Sequence, residues 1–269
     1  MNQQHNTTQH NTTQYNTHLM DFSHIDQQLN ELADSVFLYS AISCDHISPI
    51  DLNISTLTIM FKTTLKNMKS SFQELYNLYD QESYTLNIVD KTKMLNCIIF
   101  KQVNKENKRK YAIKVFSNGG LHITGAKSVG EAHKHAINIC QIIDSIIKST
   151  EPPTQVIDYN IQMINTNFKI EDTAIDLYKL GEVLAFPFKY DKEQHHALRF
   201  KVESATVLVF MSGSVIITGS KCVENVLKAF ECIIDIIDKN YDSLKLIGYE
   251  PRKRKVASGD DNSISKKRA

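Results

Sequence analysis

A segment that occurs twice constrains the fold of this chain more than any other feature of its sequence. The first copy, Val115–Lys127, reads VFSNGGLHITGAK, and the second, Val209–Lys221, reads VFMSGSVIITGSK. The phenylalanine, threonine and lysine of the first copy each lie 94 residues before their counterparts in the second. Each copy reads as a short apolar strand, a glycine-containing turn, a second strand and a Thr-Gly-x-Lys that leads into a helix. The sequence therefore predicts an internally duplicated β-hairpin followed by a helix.

The residues around the first copy predict the other elements of a first repeat, over residues 51–150. Strands are predicted within Asp51–Lys66 and Met94–Val103, with a helical segment at Met68–Tyr79 between them. After the hairpin, Ser128 and Glu131 form a capping box that starts an amphipathic helix.

A second repeat, over residues 151–248, follows the same order. We predict a strand at Val156–Ile164, a helix-like stretch near Ile170–Leu184 and a strand at Ala197–Val202. The second hairpin comes next, and a final helix covers Val223–Lys239.

Two segments precede the repeats. Residues 1–20 are rich in Asn, Gln, Thr and His, and they predict a disordered tail. Residues 21–50 are acidic, and the apolar positions of Asp21–Ile42 recur every three or four residues, as in an amphipathic helix. Its apolar stripe has three interpretations: it packs on the body of the protein, it docks a partner, or the helix folds over the protein's own basic surface and imitates phosphates.

Composition argues against several classes of protein. The chain has no run of 18 apolar residues, so we expect no membrane association. Five cysteines without a C-x-x-C pair predict a reducing compartment, no disulfide framework and no zinc cluster. Without a phosphate-binding glycine loop or an H-E-x-x-H, we expect no catalytic residues, no metal and no cofactor.

The net charge of +1 conceals a gradient along the chain. Residues 1–50 contain no Lys or Arg, whereas residues 249–269 form a basic tail that we predict to be disordered. The nearly neutral middle, taken alone, weakens a claim of tight phosphate binding. Two basic clusters between Arg252 and Arg268 suit a bipartite nuclear-import signal, and a solvated tail that loosely contacts nucleic acid is the alternative.

The two predicted repeats resemble the core domain of the TATA-box-binding protein family. The resemblance covers residues 52–248 and is most specific at Phe116–Lys127 and Phe210–Lys221. The likeness is greatest to divergent members in large DNA viruses. It implies an α+β saddle, in which two pseudo-symmetric repeats form one curved antiparallel sheet with helices on the convex face. It also implies that the concave face binds double-stranded, A·T-rich DNA through the minor groove and bends it with apolar wedges.

The resemblance implies three sets of DNA-binding residues. The wedges are Phe116, Phe210, Leu95 and His195. The residues at base edges and on the groove floor are Thr58, Met60, Met163, Asn165, Thr124, Thr218, Ile216 and His122. The phosphate contacts are Lys101 and Lys201.

Several of these residues depart from the family's pattern. Leu95 and His195 stand where the family has phenylalanine, and an alternative register would use Phe186 or Phe188 as the wedge of the second half. Thr58 and Met163 stand where the family has two central asparagines, and His122 replaces an apolar residue. Phe116 and Phe210 also have a purely structural interpretation, because a strand phenylalanine is usually part of the core.

The resemblance implies a transcription initiation factor that recruits general transcription factors of the IIA/IIB type and RNA polymerase, in a nucleus or a viral transcription compartment. The alternative is a scaffold of the same fold that has lost sequence-specific DNA binding. Catalysis ranks third, because His133 and His135 lie on a predicted helix and face different ways, and His195 and His196 point to opposite faces of a predicted strand.

Overall fold

The computed structural model describes residues 20–66, 86–88, 96–103, 108–147 and 152–248. The predicted N-terminal tail, the predicted helix Met68–Tyr79, Leu95 and the basic tail lie outside the described residues. The helices are α1 (Ser23–Ser43), α2 (Val129–Ile147), α3 (Leu177–Val183), α4 (Val223–Lys239) and α5 (Tyr241–Leu244). The strands are β1 (Asn53–Thr63), β2 (Leu86–Ile88), β3 (Cys97–Val103), β4 (Lys110–Phe116), β5 (Leu121–Ala126), β6 (Val156–Lys169), β7 (Phe188–Lys189), β8 (Ala197–Val202), β9 (Ala205–Phe210) and β10 (Ser214–Ser220).

All of these strands form one antiparallel sheet, in the order β2-β3-β4-β5-β1-β6-β10-β9-β8-β7. The order is symmetric about the β1·β6 pair, so that β1 to β5 and α2 (half 1) correspond to β6 to β10 and α4 (half 2). The predicted α+β fold with two repeats in one sheet is confirmed.

Equivalent glycines close the two hairpins. Gly119 and Gly213, which lie 94 residues apart, both have φ near +80°, at +84° and +80°. A Cβ atom at Gly119 would lie 2.1 Å from the carbonyl oxygen of Leu65, and one at Gly213 would lie 2.6 Å from that of Ile170. Only glycine tolerates both the dihedral angle and the close approach, so the duplicated glycines fix both turns for the same reason.

The helices cover one face of the sheet. In β4 and β5, Ile113, Val115, Leu121 and Ile123 are completely buried beneath α2, and alternate residues point the other way. Helix α4 covers β8, β9 and β10 in the same manner. We call the helix side the covered face and the other side the open face.

Helix α1 lies on the covered face and contacts both α2 and α4. Its buried residues Leu29, Leu32 and Val36 belong to the hydrophobic core. The hydroxyl of Tyr39 donates to the carboxylate of Asp235 on α4 at 2.7 Å. The helix predicted at Asp21–Ile42 is confirmed, and packing on the body of the protein is the correct interpretation of its stripe. Folding of α1 over the basic surface is wrong, because the stripe is buried against the helices on the opposite side.

Asp26 joins α1 to half 1. Its carboxylate accepts from the backbone N–H groups of Val129 and Gly130 at 2.6 and 3.0 Å, which satisfies two free donors at the start of α2. Asp26 lies in the first turn of α1, yet its carboxylate caps α2. The predicted capping box contributes as well, because the Ser128 hydroxyl accepts from the N–H of Glu131 at 3.0 Å.

Half 2 differs from expectation in two places. Helix α3 is shorter than the predicted Ile170–Leu184 stretch, because Asp176 caps it at Tyr178 and Lys179. His195 and His196 do not lie on a strand, since β8 begins at Ala197 and the residues before it form a turn that starts at Asp191.

Candidate nucleic-acid interface

Strand register places most of the predicted site residues on the open face. Directly paired residues share a face, so pairing defines rows that cross the sheet. One row in half 1 runs Lys101, Ala112, Thr124, Thr58 and, across the centre, Met163. In half 2 the matching row runs Lys201, Thr206 and Thr218.

The two hairpin phenylalanines lie at equivalent places near opposite ends of this face. Phe116 pairs with Cys97 on β3, and Phe210 pairs with Ala197 on β8. Both rings are partly exposed, whereas the preceding residues Val115 and Val209 are completely buried under the helices. The core interpretation of the two phenylalanines is therefore wrong, and both are available to a ligand on the open face.

The second pair of predicted wedges is not found beside them. Leu95 lies outside the described residues, and His195 is exposed in the turn before β8. The alternative alignment, with Phe186 or Phe188 as the wedge of half 2, places no ring on the open face either. Phe188 pairs with Phe200, which is buried on the covered face, and the ring of Phe186 stacks on Phe200 at 5.9 Å between centroids.

Polar side chains bond to one another at the centre of the open face. The hydroxyl oxygens of Thr58 and Thr124 lie 3.2 Å apart. The side-chain amide of Asn165 donates to the Thr56 hydroxyl at 2.9 Å and accepts from the Thr218 hydroxyl, which also lies 3.5 Å from the Met163 sulfur.

These bonds leave donors unused. An amide nitrogen has two hydrogens, so Asn165 keeps one after bonding to Thr56. In the threonine pair, one hydroxyl donates and the other retains its own hydrogen. Thr58 is only 3% exposed, so Thr124 is the member that faces a ligand. Either hydroxyl can be the donor within the pair, and when Thr58 donates to Thr124, the Thr124 hydroxyl keeps its hydrogen for the ligand. The centre therefore offers hydrogen-bond donors although the family's two asparagines are replaced.

The next row outward differs between the halves. In half 1, His122 pairs with Met60 on β1 and with Lys114 on β4. In half 2, Ile216 pairs with Leu208 on β9 and with Asn167 on β6, and Leu208 pairs in turn with Arg199 on β8. Burial, and then the neighbouring positive charge of Lys114, lowers the pKa of His122 below its ordinary value of 6.5. His122 is therefore neutral at pH 7, and half 1 has a cation and an imidazole where half 2 has two aliphatic side chains.

Positive charge is concentrated on the open face. Every Lys and Arg in the described strands occupies a position that points to the open face. These residues are Lys62, Lys101, Lys110, Lys114, Lys169, Lys189, Arg199 and Lys201. The described strands contain a single carboxylate, that of Asp158, which lies 2.7 Å from the Lys62 ammonium. Both partners are mostly exposed, so this pair is weak and exchangeable. The near-neutral charge of the chain thus concealed a basic surface.

Sequence reasoning missed Lys114 and Arg199 as members of this surface. The sequence does contain a pattern that would have identified Lys114. Every second residue of β4 is buried, and the residues between them are Lys110, Ala112, Lys114 and Phe116. The same alternation relates Arg199 to Lys201 on β8. Lys101 and Lys201, the two predicted phosphate contacts, are exposed on this face.

The covered side is acidic by contrast. Helix α4 contains four carboxylates and two lysines, one of which, Lys239, pairs with Asp235, and α1 contains three carboxylates and no Lys or Arg. A polyanion approaching this molecule is therefore attracted to the open face and repelled from the helices.

Two other kinds of feature are not found in the described residues. Within that part of the chain, no helix is both long and apolar enough to cross a lipid bilayer. The same residues contain no group of three or more His, Cys, Asp or Glu side chains positioned to hold a metal ion.

Comparison with known proteins shows which family this chain resembles. The family model described as transcription factor TFIID, or TATA-binding protein, matches residues 158–240. TATA-box-binding protein 3 of Methanosarcina mazei is 31% identical over 151 residues, which cover 54% of this chain and 76% of that protein. A TATA-box-binding protein-like protein of Acanthamoeba polyphaga mimivirus is 27% identical over 183 residues, which cover 56% of this chain and 49% of its own length.

The chain thus spans about half the length of the viral relative. Among solved structures, Methanococcus jannaschii TBP matches with a TM-score of 0.51 and 22% identity, over 70% of this chain and 98% of that one. This likeness supports the saddle arrangement of the fold alone.

Proposed function

The chain belongs to the TATA-box-binding protein family, and we propose that it is a transcription initiation factor that binds A·T-rich promoter DNA through the minor groove and bends it. The observation that carries this proposal is the open face itself. It combines an uncovered sheet, two partly exposed phenylalanines and the basic residues of the strands.

The proposed geometry of binding follows from the three parts of that face. Basic side chains at its outer strands, led by Lys101 and Lys201, contact the phosphates and set the orientation of the duplex. The central donors at Asn165 and Thr124 meet base acceptors, since the minor groove presents adenine N3 and thymine O2.

The wedges supply the deformation. Phe116 and Phe210 enter base steps at the two ends of the contact and unstack them, which bends the duplex away from the protein. A broad sheet with a phenylalanine near each end can widen a minor groove that lies across it. Such deformation costs least at flexible A·T steps, so the preference for A·T arises from deformability as well as from contacts.

The test is a measurement of affinity and bending on matched duplexes. Wild-type protein is titrated against an A·T-rich and a G·C-rich duplex with a fluorophore at each end, at several salt concentrations. We expect tighter binding and a shorter end-to-end distance for the A·T-rich duplex, with affinity that falls as salt rises. Equal, weak and unbent binding to both duplexes would contradict the proposal.

A scaffold that has lost sequence-specific DNA binding is the second candidate function. The replacement of the central asparagines by Thr58 and Met163 favours it, as does the exposure of Phe37, Leu38 and Ile42 on α1. Capture of polymerase subunits by the full chain after nuclease treatment, combined with equal affinity for the two duplexes, would favour the scaffold.

The partners follow from the same proposal. General transcription factors of the IIA/IIB type and RNA polymerase are the proposed protein partners, and the nucleus or a viral transcription compartment is the proposed location. Import through the segment from Arg252 to Arg268 belongs to this proposal as well and is tested by deleting that segment from a fluorescent fusion.

A further inference from the structure

The two halves of the open face present different chemistry at equivalent positions. Lys114 and Leu208 lie 94 residues apart, as do His122 and Ile216. Register confirms the equivalence, because Lys114 pairs with His122 as Leu208 pairs with Ile216. All four side chains are partly exposed on the open face.

We propose that the Lys114–His122 pair makes half 1 tolerant of a G·C base pair, whereas the Leu208–Ile216 pair restricts half 2 to A·T. The protein then binds a mixed site in one orientation. This inference rests on the proposed minor-groove function and adds a selectivity that differs between the two halves.

One group distinguishes G·C from A·T in the minor groove. Guanine adds an exocyclic N2 amino group, which is a hydrogen-bond donor. Directly over Leu208 and Ile216, this donor loses its water and meets only aliphatic groups. Asn167, which has an acceptor, lies one strand beyond Ile216, and Arg199 beside Leu208 has donors alone. An unsatisfied buried donor is costly. Half 2 therefore rejects guanine.

Half 1 offers the missing acceptor. A neutral imidazole has one donor nitrogen and one acceptor nitrogen, so His122 is able to accept from the guanine amino group. Lys114 supplies a donor for cytosine O2 or guanine N3 in the same base pair. The two side chains thus match a G·C pair in the minor groove, and they also meet the acceptors of A·T.

The surroundings of His122 keep the acceptor available. Lys114 faces it from β4 and Met60 faces it from β1. The nearest diagonal charge on β1 is that of Lys62, which is paired with Asp158. Burial, and then the charge of Lys114, lowers the pKa of His122, so the ring stays neutral at physiological pH in the geometry described.

The experiment uses the full chain and three duplexes of equal length: A·T in both halves of the site, G·C in one half, and G·C in both. The readout is the ratio of dissociation constants between duplexes, because removal of the Lys114 charge weakens binding to all three alike. For wild type we expect the half-substituted duplex to bind within about threefold of the A·T duplex, and the fully substituted one at least about tenfold more weakly.

Reciprocal variants sharpen the test. In K114L/H122I the half-substituted duplex should become at least about tenfold weaker than the A·T duplex. In L208K/I216H the fully substituted duplex should approach the A·T duplex. H122Q keeps an acceptor and a donor in the side chain, so it should retain tolerance where H122I does not. Thermal unfolding of each variant confirms that it folds.

The outcomes distinguish a failure of the inference about half 1 from a failure of the proposed function. If wild type prefers A·T and bends it, but K114L/H122I discriminates no better than wild type, the inference about half 1 is overturned while the proposed function stands. If wild type binds all three duplexes equally and without bending, the proposed function fails, and the inference fails with it.

Discussion

Half 1 and half 2 have the same arrangement of strands and helix, but they differ in the side chains on the open face. Both hairpins close at a glycine with positive φ beside the carbonyl that follows a central strand, and both place one phenylalanine on the open face. Next to that phenylalanine, the hairpin of half 1 has Lys114 and His122 on the open face, whereas the hairpin of half 2 has Leu208 and Ile216. In half 2 the nearest cation of this row is Arg199, one strand further out. The duplicated glycines are required by the fold, whereas the hairpin positions that differ between the halves lie on the open face.

The largest expected effect is on stability, and it differs between alanine substitutions at two equivalent glycines. Gly125 has φ of +113°, and a Cβ atom there would lie 2.4 Å from the Lys110 carbonyl oxygen. At Gly219, φ is +87° and the nearest atom would be 3.8 Å away. Urea unfolding should show a loss of about 4 kcal/mol for Gly125→Ala and about 1 to 2 kcal/mol for Gly219→Ala. Equal losses would mean that the two Thr-Gly positions have the same surroundings.

The two phenylalanines should by contrast behave alike. Removal of either ring, in Phe116→Ala or Phe210→Ala, is expected to weaken binding to an A·T-rich duplex by about 30-fold and to reduce its bend, because a large apolar wedge is lost. Phe188→Ala is the matched control, since Phe188 is 44% exposed but lies on the covered face. A large loss in one half only would show that the halves do not wedge equivalently.

The start of each repeat helix distinguishes the halves again. Asp26 accepts from two N–H groups at the start of α2, whereas Cys222 at the start of α4 makes no side-chain cap. Asp26→Ala should lower the free energy of unfolding by about 1 to 2 kcal/mol. Amide exchange should accelerate in α2 and not in α4.

Asp34→Ala is the control for that variant, because Asp34 is an exposed acidic residue of the same helix, α1. Its substitution should change stability by less than about 0.5 kcal/mol. Equal acceleration of exchange in both repeat helices would contradict a cap that serves half 1 alone.

The smallest expected effect concerns pH and is confined to half 1. Because the pKa of His122 is lowered below 6.5, the ring is neutral and able to accept a hydrogen bond at pH 7 and above. Protonation removes the acceptor, so tolerance of G·C should fall a few-fold as pH drops through the lowered pKa. The ratio between half-substituted and A·T duplexes, followed from pH 8 to pH 5, measures this change, and a ratio that also changes in H122Q would assign it to another group.

Sequence alone predicted much of this fold because the duplicated segment contains the residues that determine it. Phe, Gly and Thr recur where a strand end, a left-handed turn and a second strand need them. The position of α1 could not be predicted from the sequence. An apolar stripe such as Leu29, Leu32 and Val36 is able to pack on either side of a sheet, and the sequence does not show on which side the other helices lie. The decisive contact, Asp26 with the start of α2, joins residues more than a hundred positions apart.

The candidate site was predicted only in part. Register confirmed that Phe116, Phe210, Thr124 and Thr218 share one face, because the pattern of each hairpin fixes its own alternation. Lys114 was missed because net charge averages the two sides of the molecule. His195 was assigned wrongly to a strand, because it lies in the turn before β8, where its backbone N–H donates to the carbonyl of Asp191.

The central claim, that this surface reads the minor groove, is tested most directly by replacing every G·C pair of a G·C-rich duplex with inosine·cytosine. Inosine lacks the N2 amino group, so its pair resembles A·T in the minor groove and G·C in the major groove. The account predicts that the inosine duplex binds within about threefold of the A·T-rich duplex and is bent like it. Binding as weak as that of the G·C-rich duplex, without a bend, would contradict it.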